Sequence, residues 1–170
     1  SDVYKRQVKE LNKKSYDLRF ENIERGLRLN QIAFCQAKKF NDDTLFSLIY
    51  SARGVLFKNR EQFDSAAIFT IMSLRIREKL GDSNEIAKSF NNLGSIYYES
   101  GQYRKALSYY NKTLIARIQL DQYDRISRTY NNLGNTYDQL KLTDSAIYFY
   151  EKGLAYNEAD PNDINDINLN

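Results

Sequence analysis

Apolar side chains recur along the chain at intervals of three and four residues, which is the spacing of one face of an α-helix. One such stripe consists of Ile86, Phe90, Leu93, Gly94 and Tyr97. The segment SGQY at positions 100–103 interrupts this stripe, and a second stripe with the same spacing continues to about residue 120. Because a single short turn separates the two stripes, the pattern predicts a hairpin of two antiparallel helices.

The hairpin pattern repeats with a shift of 40 residues. The aligned columns are Gly54, Gly94 and Gly134; Phe57, Tyr97 and Tyr137; Ala66, Ala106 and Ala146; and Leu74, Leu114 and Leu154. One period earlier the match is partial, with Gly26 in the alanine column and Phe34 in the leucine column. Because a lone hairpin cannot bury its apolar stripe, the repeat predicts hairpins stacked side by side, the first of them degenerate.

Residues that end and begin helices lie between the stripes. Gly81 suits a left-handed turn at the end of one helix, and Asp82, with Glu85 three residues later, has the spacing of an N-terminal cap. Gly94 and Gly134 lack a side chain at points where the two helices of a hairpin must approach closely. These residues predict a helix boundary near position 81 and tightly packed hairpins.

Two segments, NNLGSIYYESGQYRKALSYYNKTL and NNLGNTYDQLKLTDSAIYFYEKGL, carry Leu-Gly, Tyr, Ala and aromatic residues in the same order. In this they resemble the tetratricopeptide repeat family, well over residues 42–157 and loosely over residues 8–40. The 40-residue spacing is similar to the long-repeat branch of that family, found in kinesin light chains and in bacterial, Bacteroidetes-like, sensor and scaffold proteins. The resemblance implies an all-α fold, a right-handed α-solenoid (the tetratricopeptide superhelix) of stacked antiparallel helical hairpins whose concave face binds protein or peptide.

The repeat divides the chain into an array and its flanks. The array spans residues 8–157, with a degenerate N-terminal hairpin at 8–40 and tetratricopeptide hairpins at 42–80, 83–120 and 123–157. Residues 158–170 are acidic and contain Pro161, and we expect a flexible tail there. The opening segment SDVYKRQ, residues 1–7, resembles a translated sequencing-adapter scar.

Polar residues opposite the core stripe are candidates for a binding surface on the concave face. In one repeat they are Lys88, Asn91, Asn92 and Ser95, and 40 residues later they are Arg128, Asn131, Asn132, Asn135 and Gln139. An asparagine amide offers both a donor and an acceptor, so it can pair with the backbone of an extended peptide. The resemblance implies such a contact for Asn92 and Asn132, and Lys88 and Arg128 could hold an acidic group. The alternative is that the asparagine pairs are only a solvated repeat consensus.

The preceding repeat has apolar residues at the equivalent positions. They are Leu48, Ala52 and Val55, in a helix that is apolar almost all round. Two interpretations are open. Either the degenerate N-terminal hairpin folds over this helix, or the three residues form an apolar pocket beside the row of amides, suited to a peptide with a hydrophobic anchor and an acidic group.

The net charge of +3 hides an uneven distribution. The tail from Glu158 onward carries four acids and no base, which leaves 18 of the 22 acids against 25 bases in the body, a net +7. Nucleic-acid binding is therefore an alternative function, although most tyrosines fall in core columns, whereas bases stack on exposed aromatics. Binding that weakens steeply with salt would favour it. We expect a solvated convex face for Arg75, Arg77, Lys79, Lys105, Lys112 and Arg117.

Catalytic chemistry has little support in the sequence. The chain has no histidine and one cysteine, which excludes a His/Cys zinc site, and it has no Gly-rich phosphate loop. We therefore predict a non-catalytic protein that needs no metal or cofactor, and we expect Cys35 in the core.

Two expectations concern the wider protein. The last helix has no following repeat to cover Ile147, Phe149 and Tyr150, so self-association through it is a third possible function. No apolar run approaches the ~20 residues that a membrane helix needs, so we expect a soluble segment, cytoplasmic or periplasmic, that makes no membrane contact. We interpret it as the sensing or docking part of a longer bacterial signalling protein.

Overall fold

A computed structural model describes residues 2–158, and every regular element in that range is an α-helix. The helices of the described range are α1 Asp2–Asp17, α2 Ile23–Ala37, α3 Asp43–Asn59, α4 Phe63–Leu80, α5 Ser83–Glu99, α6 Tyr103–Gln119, α7 Tyr123–Gln139 and α8 Thr143–Glu158. The all-α fold class predicted from the sequence is confirmed. Helix α1 begins at Asp2, ahead of the predicted start of the array. Residues 159–170 of the predicted acidic tail lie outside the described residues.

The turns between the helices follow one rule from α2 onward. A residue with a positive φ recurs every 20 positions, at Asn41, Glu61, Gly81, Gly101, Asp121 and Lys141. Glycine reaches this left-handed conformation without steric cost, and Gly81 ends α4 as predicted. Residues 18–22, between α1 and α2, contain no such residue, so this turn has a different conformation.

Close approach within the hairpins explains two glycines of the repeat. A Cβ on Gly54 would meet the Thr70 hydroxyl and would lie 3.2 Å from the backbone oxygen of Ala66, across the α3–α4 hairpin. A Cβ on Gly134 would lie 2.6 Å from the ring of Tyr150, across the α7–α8 hairpin. The prediction that glycine permits tight packing of paired helices is therefore confirmed at Gly134, and Gly54 shows the same close approach. For Gly94 it stays a prediction.

The helices divide into two compact units, with the boundary after Ile96, inside α5. Below, "unit 1" is the part up to Ile96 and "unit 2" is the part from Tyr97. A buried cluster in unit 1 consists of Val8, Ala33, Ala37, Leu45 and Ile49. A buried cluster in unit 2 consists of Ala106, Tyr110, Ile126, Tyr130, Leu133 and Tyr156.

Two asparagines attach the N-terminal hairpin to α3. Asn30 is fully buried and donates to the backbone oxygen of Ile49 at 3.0 Å and to Oδ1 of Asn12 at 3.1 Å. Asn12 in turn donates to the backbone oxygen of Leu48 at 3.2 Å. Helix α3 therefore packs against α1 and α2 as well as against α4, which explains why its sequence is apolar almost all round.

Two sequence-based expectations about burial were wrong. Arg77 and Arg117 were expected on a solvated face, but they are 3% and 8% exposed, because each donates hydrogen bonds to the helix that follows its own. Cys35 was expected in the core and is exposed. An uncovered last helix was expected, and Leu154 of the leucine column is 56% exposed because no described helix follows α8.

Candidate functional site

Unit 1 contains an open cavity of about 320 Å³ between α3, α5 and the α1–α2 turn. It is lined by Tyr16, Arg19, Phe20, Val55, Lys58, Asn59, Thr70, Asn91, Asn92, Ser95 and Ile96. Four residues of the two predicted sites, Val55 and the polar residues Asn91, Asn92 and Ser95, meet in this cavity. The structure thus brings one apolar candidate and the amide candidates of unit 1 to one place.

Helix α5 supplies the amides. Asn91 and Asn92 follow Phe90 and precede the buried pair Leu93–Gly94, so the apolar stripe fixes the helix and turns the asparagines away from the core. Both are half-buried. Among the described residues neither side-chain amide has a hydrogen-bond partner, which leaves its donors and acceptor available to a ligand.

The charged groups of the lining are all cationic. Arg19 lies over the ring of Tyr16, with its Cζ 4.1 Å from the centroid, and over the ring of Phe20 at 4.7 Å. Lys58 donates from Nζ to the Ser95 hydroxyl at 3.3 Å. No described lining residue is acidic. The cavity therefore presents positive charge next to free amides.

The α1–α2 turn is held in place by the end of α3. Asn59 donates from Nδ2 to the backbone oxygen of Arg19 at 2.9 Å, and Nη1 of Arg19 donates to the backbone oxygen of Tyr16 at 3.1 Å. Phe20 remains 76% exposed and Tyr16 39% exposed, so two aromatic rings stand at the cavity rim. Such exposed rings offer apolar contact to a bound chain.

Other candidates of unit 1 lie outside the cavity lining. Lys88 is exposed and forms an ion pair with Glu85. Ala52 is 4% exposed, inside the packing of α3. Leu48 is half-buried, and its backbone oxygen accepts a hydrogen bond from Asn12. Of the three predicted apolar residues, only Val55 therefore lines the cavity.

The predicted site residues of unit 2 all lie on α7, and each has different contacts. Asn135 accepts a hydrogen bond from the Tyr150 hydroxyl at 2.7 Å, and Gln139 accepts one from the Tyr103 hydroxyl at 3.3 Å. Arg128 and Asn131 are exposed, and Asn132 is half-buried. The side-chain oxygen of Asn131 lies against Gly153, where a Cβ would be 2.9 Å away.

Sequence reasoning missed the cationic and aromatic part of the cavity. Arg19, Phe20 and Tyr16 belong to the degenerate hairpin, where the 40-residue alignment has no matching motif. A signal was present, because Phe20 is an aromatic residue in the turn between two helical stripes, where burial is not expected. Lys58 and Asn59 stand at the end of α3, one turn beyond Val55.

Comparison with protein families gives a match over most of the repeat region. The tetratricopeptide repeat model matches residues 46–119 and, overlapping them, residues 85–159, which together exceed half of the chain. The chain belongs to the tetratricopeptide repeat family. A search of curated protein sequences gave no match. Tetratricopeptide repeats mediate protein interactions, and membership of the family supports a role for this chain as a protein-interaction scaffold.

Solved structures share the fold. BtubC (BKLC) from P. vanneervenii is 24% identical, with a TM-score of 0.74 over 99% of this chain and 78% of that one. A STAND (signal transduction ATPase with numerous domains) protein with a tetratricopeptide repeat sensor from Pyrococcus horikoshii is 23% identical, with a TM-score of 0.82 over 90% of this chain and 24% of that one. The tetratricopeptide domain of Arabidopsis FLU is 22% identical, with a TM-score of 0.65 over 70% and 100% of the respective chains. Identities this low show similarity of fold alone.

Within residues 2–158, no helix combines the length and the apolar character that crossing a bilayer requires.

Proposed function

We propose that this protein binds an extended acidic segment of a partner protein in the unit 1 cavity. The observation that carries the proposal is the combination of two unpartnered amides, on Asn91 and Asn92, with two cations, on Arg19 and Lys58, in a lining without described acids. The volume of about 320 Å³ is at the lower end for ligand pockets and suits part of a peptide.

Each part of the lining has a distinct task in this proposal. The amides of Asn91 and Asn92 pair with a backbone N–H and C=O, which holds an extended peptide whatever its side chains are. Arg19, stacked on two rings, presents a guanidinium plane to an Asp or Glu of the peptide. Val55 and the exposed ring of Phe20 contact an apolar side chain beside that acid.

A displayed library of short random peptides tests this function. We expect selection on the wild-type protein to enrich peptides that have an acidic residue near an apolar one. Asn92→Ala should weaken their binding by about tenfold, the effect of one lost hydrogen bond of typical strength. The matched control is Asn132→Ala, the same substitution 40 residues later in unit 2, which should leave the affinity unchanged.

Charge and apolar contact are tested separately. Arg19→Gln should weaken binding and reduce its dependence on salt, whereas Arg28→Gln, at an exposed position on α2, should change neither. Val55→Asp should abolish binding while the circular dichroism of the helices is retained. Selection of peptides without acids, or equal affinities of the Asn92 and Asn132 variants, would overturn the proposal.

We further propose that the chain is the sensing or docking part of a longer bacterial signalling protein. The support for a sensing part of a longer protein is the tetratricopeptide repeat sensor of the similar STAND protein, of which this chain covers 24%, together with a cavity suited to recognition. The bacterial setting rests on the sequence resemblance alone. Sequencing the encoding gene on both sides of this segment tests the idea. An adjoining output domain is expected, and a gene that encodes only these repeats would contradict it.

Self-association through α8 is the second candidate function. Ile147 and Leu154 are 49% and 56% exposed, whereas the equivalent Leu107 and Leu114 in α6 are half-buried. A second copy that covered this face would bury apolar surface. Sedimentation equilibrium over a range of concentrations would then show a rising mass, and Leu154→Asp would remove the rise. A constant monomer mass would exclude this function.

A further inference from the structure

In unit 1 a carboxylate on α5 neutralises a buried arginine from α4. Arg77 donates from Nη1 to the Ser89 hydroxyl at 2.7 Å and to the backbone oxygen of Glu85 at 3.2 Å. Its Nη2 lies 2.6 Å from Oε2 of Glu85. The other carboxylate oxygen of Glu85 pairs with Lys88. One acid therefore lies between two cations.

In unit 2 the equivalent arginine, Arg117, has no counterpart of the Glu85 carboxylate. Arg117 stands 40 residues after Arg77 and repeats its contacts, with Nη1 donating to the Thr129 hydroxyl at 2.6 Å and to the backbone oxygen of Arg125 at 2.7 Å. The residue equivalent to Glu85, however, is Arg125. Among the described residues, Nη2 and Nε of Arg117 have no partner.

Positive charge surrounds Arg117 instead. Arg125 and Arg128 stand on the same turn of α7 that Arg117 contacts, and Arg128 is the equivalent of Lys88. Burial, together with the charges of Arg125 and Arg128, lowers the pKa of Arg117 to about 10. Asp124 opposes this shift, but its carboxylate is 73% exposed and lies 3.7 Å from Nε of Arg125. Arg117 is only 8% exposed, so water screens it poorly.

We propose that Arg117, Arg125 and Arg128 form a site for a phosphoryl oxyanion, in the place that the Glu85 carboxylate occupies one repeat earlier. The charges favour a dianion over a carboxylate. In unit 1 the acids Glu85 and Asp82 and the cations Arg77 and Lys88 sum to zero. In unit 2 Asp124 and the three arginines leave two positive charges, and a phosphoryl group with a charge of about −2 brings that sum to zero as well. Arginine also matches phosphoryl oxygens with paired N–H donors.

Thermal unfolding with inorganic phosphate, at constant ionic strength set with chloride, tests the site. Phosphate at roughly ten times its dissociation constant should raise the midpoint of the wild-type protein by roughly 3–6 °C. Arg125→Glu restores the acid of unit 1, so this variant should unfold at a higher temperature without phosphate and should not respond to it. Arg104→Glu makes the same charge change at an exposed position of α6 and should respond as the wild type does.

A second variant and a second probe complete the test. If Arg125→Glu fails to fold, Arg128→Gln should still weaken phosphate binding by about tenfold. A glycine-flanked phosphoserine peptide that binds more tightly than phosphate would identify a phosphorylated partner as the source, and equal affinities would identify the free ion. No midpoint shift with either probe, or equal responses of Arg125→Glu and Arg104→Glu, would overturn the site.

Discussion

Asn59 donates a hydrogen bond from Nδ2 to the backbone oxygen of Arg19, at 2.9 Å, and so joins the end of α3 to the turn between α1 and α2. This turn is the one that lacks the left-handed residue of the other turns. Its conformation therefore depends on a tertiary contact rather than on its own sequence. The guanidinium and rings at the rim of the cavity are positioned by that contact.

Replacing Asn59 should loosen this wall of the cavity. Asn59→Ala is expected to lower the free energy of unfolding by about 1 kcal/mol, the usual effect of one hydrogen bond. It should also speed amide hydrogen exchange in residues 18–22, because the turn loses its anchor. Asn111→Ala, at an exposed position of α6, is the control and should not affect exchange in this turn. Unchanged exchange in the Asn59 variant would show that the turn holds its conformation alone.

Buried Arg77 should contribute far more to stability than its exposed neighbour. Arg77→Ala removes the contacts to Glu85 and Ser89 and should cost about 2–4 kcal/mol in chemical denaturation. Arg75→Ala, two positions earlier and exposed, should stay within about 0.5 kcal/mol of the wild type. Similar values for the two variants would mean that Arg77 does not join α4 to α5.

Replacing Gly54 and Gly134 by alanine should lower the free energy of unfolding by different amounts. Gly54→Ala meets the buried Thr70 and a backbone oxygen, neither of which can move easily, so a loss of about 2–3 kcal/mol is expected. Gly134→Ala meets the ring of Tyr150, which is 37% exposed and can rotate away. The loss there should be about 1 kcal/mol or less, because alanine also favours the helix. Thermal unfolding of both variants measures the two losses of stability. A larger loss for Gly134→Ala than for Gly54→Ala would contradict this ranking.

Alkaline pH should destabilise the fold partly through Tyr130. Burial, with Tyr156 and Tyr148 nearby, raises the pKa of Tyr130 from 10.0 to about 12. The folded state therefore favours the neutral phenol, and this contribution is complete below pH 10 and is lost as the pH rises towards 12. Relative to the wild type, Tyr130→Phe should gain stability between pH 10 and pH 12, as measured by urea unfolding. A difference between the two proteins that stays constant over this range would contradict the shift.

The fold was largely predictable because it rests on local, repeated signals. Asp82 accepts a hydrogen bond from the backbone N–H of Glu85 at 3.1 Å, as the capping spacing indicated, and Gly81 takes the left-handed conformation. Burial of Arg77 was not predictable from its own helix. From the sequence of its own helix, a long side chain outside the apolar stripe is expected to be solvated. Here the next helix covers Arg77 and supplies its hydrogen-bond partners.

The candidate site was predictable only where it follows the repeat. Asn91, Asn92 and Ser95 could be found by the 40-residue shift, and they meet in one cavity with Val55. Arg19 and Phe20 lie in the irregular turn of the degenerate hairpin, where spacing carries no information about tertiary position. The assignment of Lys88 as a ligand cation also could not anticipate its ion pair with Glu85, since Glu85 is held in place by Arg77 from the preceding helix.

The central claim is that an acidic peptide binds in the unit 1 cavity, and hydrogen exchange with a library-selected peptide tests it most directly. Saturating peptide should slow exchange in three segments, 16–20, 55–59 and 91–95, and the Asn132→Ala variant should give the same protection. In the Asn92→Ala variant the protection should be lost at the same peptide concentration. Protection confined to Tyr123–Gln139, or none in the three cavity segments, would contradict the account.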